Sequence, residues 1–332
     1  MLYPVLVTGL DTPIAAVASA DELSPFTGRD REMAELRRGL EVVVGGEGQV
    51  IGLVGDPGLG KSRLAFEFRG LAERHAAVIE ARCVSYGASI PYLPMFELVR
   101  DACGITADDS FDLIASKMEL QVRTLGLDTS LAHYLRHAFG VIAGDPGLAA
   151  LDPQAIRGRT FEALRRLLVA EARRRPLVVL VEDLHWIDHT SEDFLAEFVD
   201  ELPSVPIMLL VTYRSGYIPR WIGKSYTSQL ALRPLSLASS HEIVDSILAG
   251  AGPGPFDWMA AWPLLAMALD SQRVAQAAEY ARRMLPPPQQ SLQEPLRTLV
   301  DGAIQAWENG QPAETEELLS RAVRAAADLG YL

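Results

Sequence analysis

The chain has 332 residues, enough for about two domains at roughly 150 residues each, and 49% of them are apolar, which excludes a disordered or collagen-like chain. A formal charge of −13 makes it a poor generic ligand for DNA, RNA or an anionic membrane surface, because its mean field repels phosphate. The two cysteines, Cys83 and Cys103, build no disulfide framework and have no CxxC spacing, so the sequence reads as cytoplasmic and without a zinc site.

No apolar run reaches the ~20 residues of a membrane span. Residues 1–23 are apolar but lack the basic start of a signal peptide, and they read as a leader or the remnant of an upstream domain. Met33, Leu36, Leu40 and Val43 then follow helical spacing. Gln49–Val54 is a short β-branched run, a buried strand; a Gly-rich turn follows, then a helix from Lys61 to about His75. Ala77–Arg82 is a second strand. Residues 84–156 are less regular, with helical stretches near Phe96–Ala102 and Leu131–Phe139. Thr160–Arg175 is an amphipathic helix stopped by Pro176. Leu177–Val181 and Ile207–Thr212 are two more buried strands, and Gln229–Leu232 a fifth. Buried strands alternating with helices predict an α/β fold with a parallel sheet covered by helices. Composition changes at Gly250–Pro255, read as a linker (residues 250–256) between a core of residues 24–249 and a helical segment, 257–332. That segment reads as two helix pairs, broken near Asp270-Ser271 and Asn309–Pro312, about 40 residues apart, like tetratricopeptide hairpins.

Gly55, Asp56, Pro57, Gly58, Leu59, Gly60, Lys61 and Ser62 fit the spacing G-x-x-x-x-G-K-S/T, with a strand before and a helix after. From this chain's composition the chance of one such match is on the order of 0.002, so coincidence is a poor account of it. Glycines let successive backbone N–H groups curl around phosphate oxygens, and the following helix adds its positive end. Lys61 would reach the β and γ phosphates, and the Ser62 hydroxyl would take a place on Mg²⁺. Leu177–Asp183 is a hydrophobic strand ending in two acids. By position Glu182 is the metal-side acid and Asp183 the base that orients water; the commoner order is Asp then Glu, so the roles can be exchanged. The strand Ile207–Thr212 is followed by Arg214, and either Thr212 or Arg214 is a candidate to sense or stabilise the γ-phosphate in ATPases that insert a strand between the two motif strands. No Asn-Lys-x-Asp, Leu-Ser-Gly-Gly-Gln or protein-kinase set occurs, which disfavours GTPases, transporter ATPases and kinases.

With these residues in place the chain resembles the STAND-type signalling ATPases, relatives of AAA+ proteins. It is most similar to the ATPase module of bacterial class III adenylate/guanylate cyclase-associated proteins and of large LuxR-type regulators. The likeness lies in Ser24–Glu32, Gly55–Ser62, Arg82–Tyr92, Val181–Asp188, Thr212–Arg214 and Leu232–Ser236. It implies a P-loop NTPase that binds ATP with Mg²⁺ at Gly55–Ser62 and Arg63, hydrolyses it slowly with Lys61, Glu182, Asp183 and Arg214, and holds Mg²⁺ through Ser62, Glu182 and Asp183. It implies that Phe26, Gly28 and Arg29 contact adenine, and that the tetratricopeptide-like C-terminal helices bind a protein partner. His185 and Trp186, just past the acids, read as a hydrogen-bonded histidine and a packing tryptophan. Family members carry a helical lid and a winged helix after the core; neither is visible here, so the chain resembles a shortened form of a larger regulator. A non-catalytic nucleotide-binding scaffold is the alternative reading. Nucleic acid and membrane are not expected partners.

Overall fold

The structure, a computed structural model, describes residues 26–87, 90–141, 152–236, 238–240, 242–243, 257–285, 292, 294 and 296–329. The expected leader and the Gly250–Pro255 linker lie outside the described residues. The described chain divides into two compact units. One runs from Arg29 to Pro234; the other takes residues 26–28 and those from Leu235 onward.

The first unit opens with helix α1 (Asp30–Val44), strand β1 (Gln49–Val54), helix α2 (Lys61–Ala72) and strand β2 (Ala77–Arg82). Helices α3 (Leu93–Ala102), α4 (Phe111–Thr124), α5 (Ser130–Ala138) and α6 (Pro153–Arg174) lead to strand β3 (Leu177–Glu182). A 3₁₀ turn over Leu184–Trp186, helix α7 (His189–Val199), and strands β4 (Ile207–Tyr213) and β5 (Thr227–Ala231) complete it. All neighbouring strands pair in parallel, in the order β2-β3-β4-β1-β5. Strands β3 and β4 are buried almost throughout, and read as unbroken runs of Val, Leu, Ile and Met because both faces are covered. The edge strand β5 alternates only between partly and fully exposed positions. Helix α1 buries Met33, Leu36, Gly39, Leu40 and Val43, one helical face, against β1 and β4. Gly39 sets the distance: a Cβ there would lie 2.6 Å from Ile51 Cδ1.

Helix α6 begins two turns before the amphipathic run that marks it in the sequence. Asp152 caps it through Gln154 N–H and Pro153 supplies a preset first-turn φ. Helix α4 carries only three buried residues, Ile114, Met118 and Val122, and α7 follows a capping Asp188; neither was read from the sequence. The helices pack on the sheet around one apolar core that includes Val179, Leu209, Val211, Phe161, Phe194 and Phe198.

The second unit contains α8 (Asp257–Asp270), α9 (Val274–Arg283), α10 (Leu296–Glu308) and α11 (Pro312–Asp328). Short turns at 271–273 and 309–311 join them into two helical hairpins, whose core holds Trp262, Leu265, Tyr280, Leu296, Val300 and Leu319. Helix α8 starts before Pro263, which sits inside it.

Candidate functional site

Strand β1 ends where the Gly55 N–H donates to the Tyr213 carbonyl at 3.3 Å. The chain then turns through Gly58 at φ +83° and Gly60 at φ +86°, and added Cβ atoms would meet nothing within 4 Å at either. The demand for glycine is therefore one of dihedral angle, not of space. Gly60 is also the residue from which α2 starts, so the first N–H groups of α2 lack helical acceptors and are free to meet an anion. Lys61 folds back over this loop: its ammonium donates to the carbonyls of Gly55 at 2.8 Å and Asp56 at 3.0 Å, and it is only 8% exposed. Burial lowers its pKa, Asp183 opposes the shift, and Arg214 adds to it. The loop is braced from outside. Arg29, itself buried, donates to the carbonyls of Leu59 (2.8 Å) and Arg233 (2.9 Å) and pairs with Glu32. The Ser215 hydroxyl donates to Asp56 at 2.9 Å.

The acids stand at the end of β3. The sheet aligns Arg82 with Glu182 and Val181 with Val211, so Thr212 comes abreast of Glu182, and Leu53 abreast of Thr212. Ser62, the second residue of α2, lies close to the Glu182 carboxyl, whose Oε2 is buried with no partner among the described residues. Burial raises the Glu182 pKa; nearby Ser62 and the Arg82 charge oppose that rise. Asp183 follows at φ +55°, a left-handed conformation uncommon outside glycine. Two bonds hold it there: its N–H donates to Thr212 Oγ1 at 2.9 Å, and its Oδ2 pairs with Arg82 Nη2 at 3.3 Å. Thr212 is fully buried.

The left-handed turn at Asp183 swings the 3₁₀ segment back toward the strand ends. The His185 and Trp186 rings lie 5.0 Å apart, and the Arg214 guanidinium sits 5.5 Å above the Trp186 ring. Trp186 is therefore a half-exposed platform and not a core tryptophan. Against the sequence expectation, His185 has no hydrogen bond among the described residues: both ring nitrogens are buried without a partner there. Burial lowers its pKa, with Asp183 opposing the shift and Arg214 and Lys61 adding to it. Beyond the turn Asp188 caps α7 through Ser191 N–H (2.9 Å) and also accepts from Tyr92 N–H (3.3 Å).

The structure thus gathers Gly55–Ser62, Glu182, Asp183, Thr212 and Arg214 at the C-terminal ends of β1, β3 and β4. Arg63 pairs with Glu67 one turn along α2. Arg29 joins the loop through a backbone carbonyl, while Phe26 and Gly28 belong to the second unit, where Thr27 donates to Glu242 and Gly28 (φ +71°) is crowded by Ser239. Arg82 and Ser215 were not singled out in the sequence. Arg82 is the last residue of β2, and only the pairing of β2 with β3 reveals its position. A groove of 720 Å³ along α6 and α7, lined among others by Arg157, Phe161 and Phe194, contains none of the loop residues.

Among the described residues no three His, Cys, Asp or Glu side chains surround a common point. Mg²⁺ in a phosphate site needs no such cage, because one or two protein oxygens suffice beside phosphate and water. The Ser62 hydroxyl and the orphaned, buried Glu182 Oε2 fit that requirement.

A parallel sheet with a Lys-bearing glycine loop after β1, acids after β3, and β4 inserted between them defines a P-loop NTPase. The AAA ATPase domain profile matches residues 25–211, more than half of the chain, and the chain belongs to that family. Members of this family generally use ATP and Mg²⁺. An uncharacterized protein of Rhizobium meliloti (strain 1021) is 32% identical over 212 residues, which is 64% of this chain and 20% of that protein, so the chain spans about a fifth of its relative's length. Among solved structures, Cdc6p from Pyrobaculum aerophilum is similar with a TM-score of 0.41 at 13% identity, over 93% of this chain and 85% of that one. Drosophila ORC bound to DNA is similar with a TM-score of 0.38 at 13% identity, over 91% and 61%. At these scores neither adds to what the site itself says. No helix among the described residues is long and apolar enough to cross a membrane.

Proposed function

We propose that this chain is a slow, regulatory ATPase of the STAND type, akin to the modules of cyclase-associated and LuxR-type regulators. In this reading its nucleotide state sets its contacts with a protein partner in the cytoplasm. One observation carries the catalytic half: Lys61, the Ser62–Glu182 pair, and Asp183 anchored to Thr212 meet at adjacent strand ends. In the bound state Lys61 leaves the carbonyls of Gly55 and Asp56 for the β and γ phosphates. The N-terminus of α2 cradles them, and Arg214 balances charge at the γ-phosphate. Ser62 and Glu182, with Asp183 nearby, would hold Mg²⁺, which neutralises phosphate charge when bound. Asp183, fixed by Thr212, orients the attacking water and takes its proton. Adenine contact by Phe26, Gly28 and Arg29 rests on the family resemblance, as do the domain limits of 24–249 for the core and 257–332 for a tetratricopeptide-like partner surface. The two helical hairpins support the latter.

Calorimetric titration with ATP, ADP and GTP, with and without Mg²⁺, tests the reading. Wild type binds ATP and ADP, Lys61→Ala binds neither, and Asp183→Asn binds both but turns over more slowly. Micromolar ATP affinity in the Lys61 variant refutes the loop assignment. A second reading, a nucleotide-binding scaffold without useful turnover, is favoured by the Arg82–Asp183 ion pair, which occupies the candidate base. A steady-state phosphate-release assay separates the two: intact binding with no Mg²⁺-dependent release selects the scaffold.

A further inference from the structure

In the turn that follows β3, both polar atoms of His185 are buried and unsatisfied among the described residues: neither Nδ1 nor Nε2 has a hydrogen-bond partner. A buried polar group left so costs stability, and it is tolerated where a ligand supplies the missing partner. The surroundings say which kind of ligand. The ring stacks beside Trp186, on which the Arg214 guanidinium rests, and it is close enough to Asp183, Arg214 and Lys61 to feel their charges. Arg214 and Lys61 are the cations that would accompany an anionic oxygen at the ring, with the Asp183 charge opposing them. Asp183 at φ +55° and the 3₁₀ turn that follows bring the His185 backbone back to the strand ends.

We propose that His185 reads the γ-phosphate: one ring N–H donates a hydrogen bond to a terminal phosphate oxygen of bound nucleoside triphosphate, so that the site distinguishes triphosphate from diphosphate. This rests on the ATP reading of the loop and adds to it a residue that contacts the phosphate directly. Lys61 and the α2 N-terminus also hold the β-phosphate, which both nucleotides carry, whereas His185 contacts only the group that hydrolysis removes.

The test compares affinities, without turnover, for ADP and for the imido analogue of ATP in the presence of Mg²⁺. Two variants are used: His185→Phe, which keeps a ring against Trp186 but has no donor, and His185→Gln, which keeps a donor. Loss of one hydrogen bond to a charged group predicts that His185→Phe weakens the triphosphate analogue by about 10- to 100-fold and ADP by less than about twofold. His185→Gln should recover most of the loss. Equal weakening of both nucleotides, no weakening of either, or a Gln variant no better than Phe overturns the proposal while leaving the ATP site standing. Failure of the wild type to bind either nucleotide overturns both. Thermal melts confirm that each variant is folded.

Discussion

Glu182→Gln tests the electrostatics of the site before any nucleotide is added. Glu182 lies at the end of a buried strand, with one carboxylate oxygen unpartnered among the described residues. Keeping a charge there costs free energy, and burial accordingly raises the pKa above the ordinary 4.5. Glutamine has the same shape but carries no charge. The gain on neutralisation is about 1 kcal/mol at pH 8, at the low end of the cost of an unsatisfied buried polar group because the substituted amide is itself imperfectly paired. For a unit of this size that is a rise of about 2–4 °C in Tm. The pH dependence has a definite sign. The folded state holds this proton more tightly than the unfolded chain, so its contribution is present in full below pH 4.5 and is lost as pH rises through the elevated folded value. The gap between variant and wild type should therefore be near zero at pH 4.5 and open toward pH 8. Comparing the two proteins cancels the other buried carboxylates with raised pKa, Glu80 and Glu97. The same variant should lose the Mg²⁺-dependent part of ATP binding, making it more stable and less functional. Scanning calorimetry at several pH values is the assay. A variant no more stable than wild type at pH 8, or a gap constant with pH, refutes the account of Glu182 as a charge buried for a cation.

Lys61→Ala removes a charged donor that holds two carbonyls in the free loop and phosphate in the bound one, so ATP affinity should fall by more than about 100-fold in the titration. Asp183→Asn keeps the turn and the Thr212 bond but cannot take a proton; phosphate release should fall by about 10²–10⁴-fold with ATP affinity little changed. Arg82→Ala frees Asp183 from a partly exposed ion pair worth about 0.5–1 kcal/mol, and should raise Mg²⁺-dependent phosphate release by about two- to fivefold; a fall would make Arg82 part of the machinery, not a restraint on it. Thr212→Val keeps the volume but leaves the Asp183 N–H unanswered in a left-handed turn, costing about 1–3 kcal/mol by denaturant melt and lowering turnover more than ATP affinity.

The strands were legible because each core strand is a run of β-branched and aliphatic residues closed by turn chemistry, and such runs have one physical use, a sheet buried on both faces. Gly55–Ser62 and the Glu182-Asp183 pair were legible for the same local reason: their chemistry is written in consecutive residues. What depended on distant partners was not. Helix α4 buries one narrow line of Ile114, Met118 and Val122, too sparse to declare a helix by period. Helix α6 gains its first two turns from a cap, Asp152-Pro153, that has no apolar signal. The expectation that His185 is a satisfied histidine failed because satisfaction is a property of neighbours. The Asp183 turn, set by Thr212 from another strand, carries the ring away from any acceptor within the described residues.

The order of the sheet explains why these pieces act as one site. With β4 between β1 and β3, its C-terminal end touches both halves. The Tyr213 carbonyl takes the first N–H of the loop, Ser215 holds Asp56 within it, and Thr212 holds the backbone of Asp183 on the other side. Were β1 and β3 adjacent, as the two motifs alone would allow, β4 could flank only one of them, and the bonds to the loop and the bond to Asp183 could not both form. Loop and acid thus share a strand whose side chains report on both. A change at the phosphates that moves Lys61 off the carbonyls of Gly55 and Asp56 also acts on the residue to which Ser215 is bonded, three positions from Thr212 on the same chain. On the proposed function, that short covalent path is where a change at the phosphates would reach the candidate base.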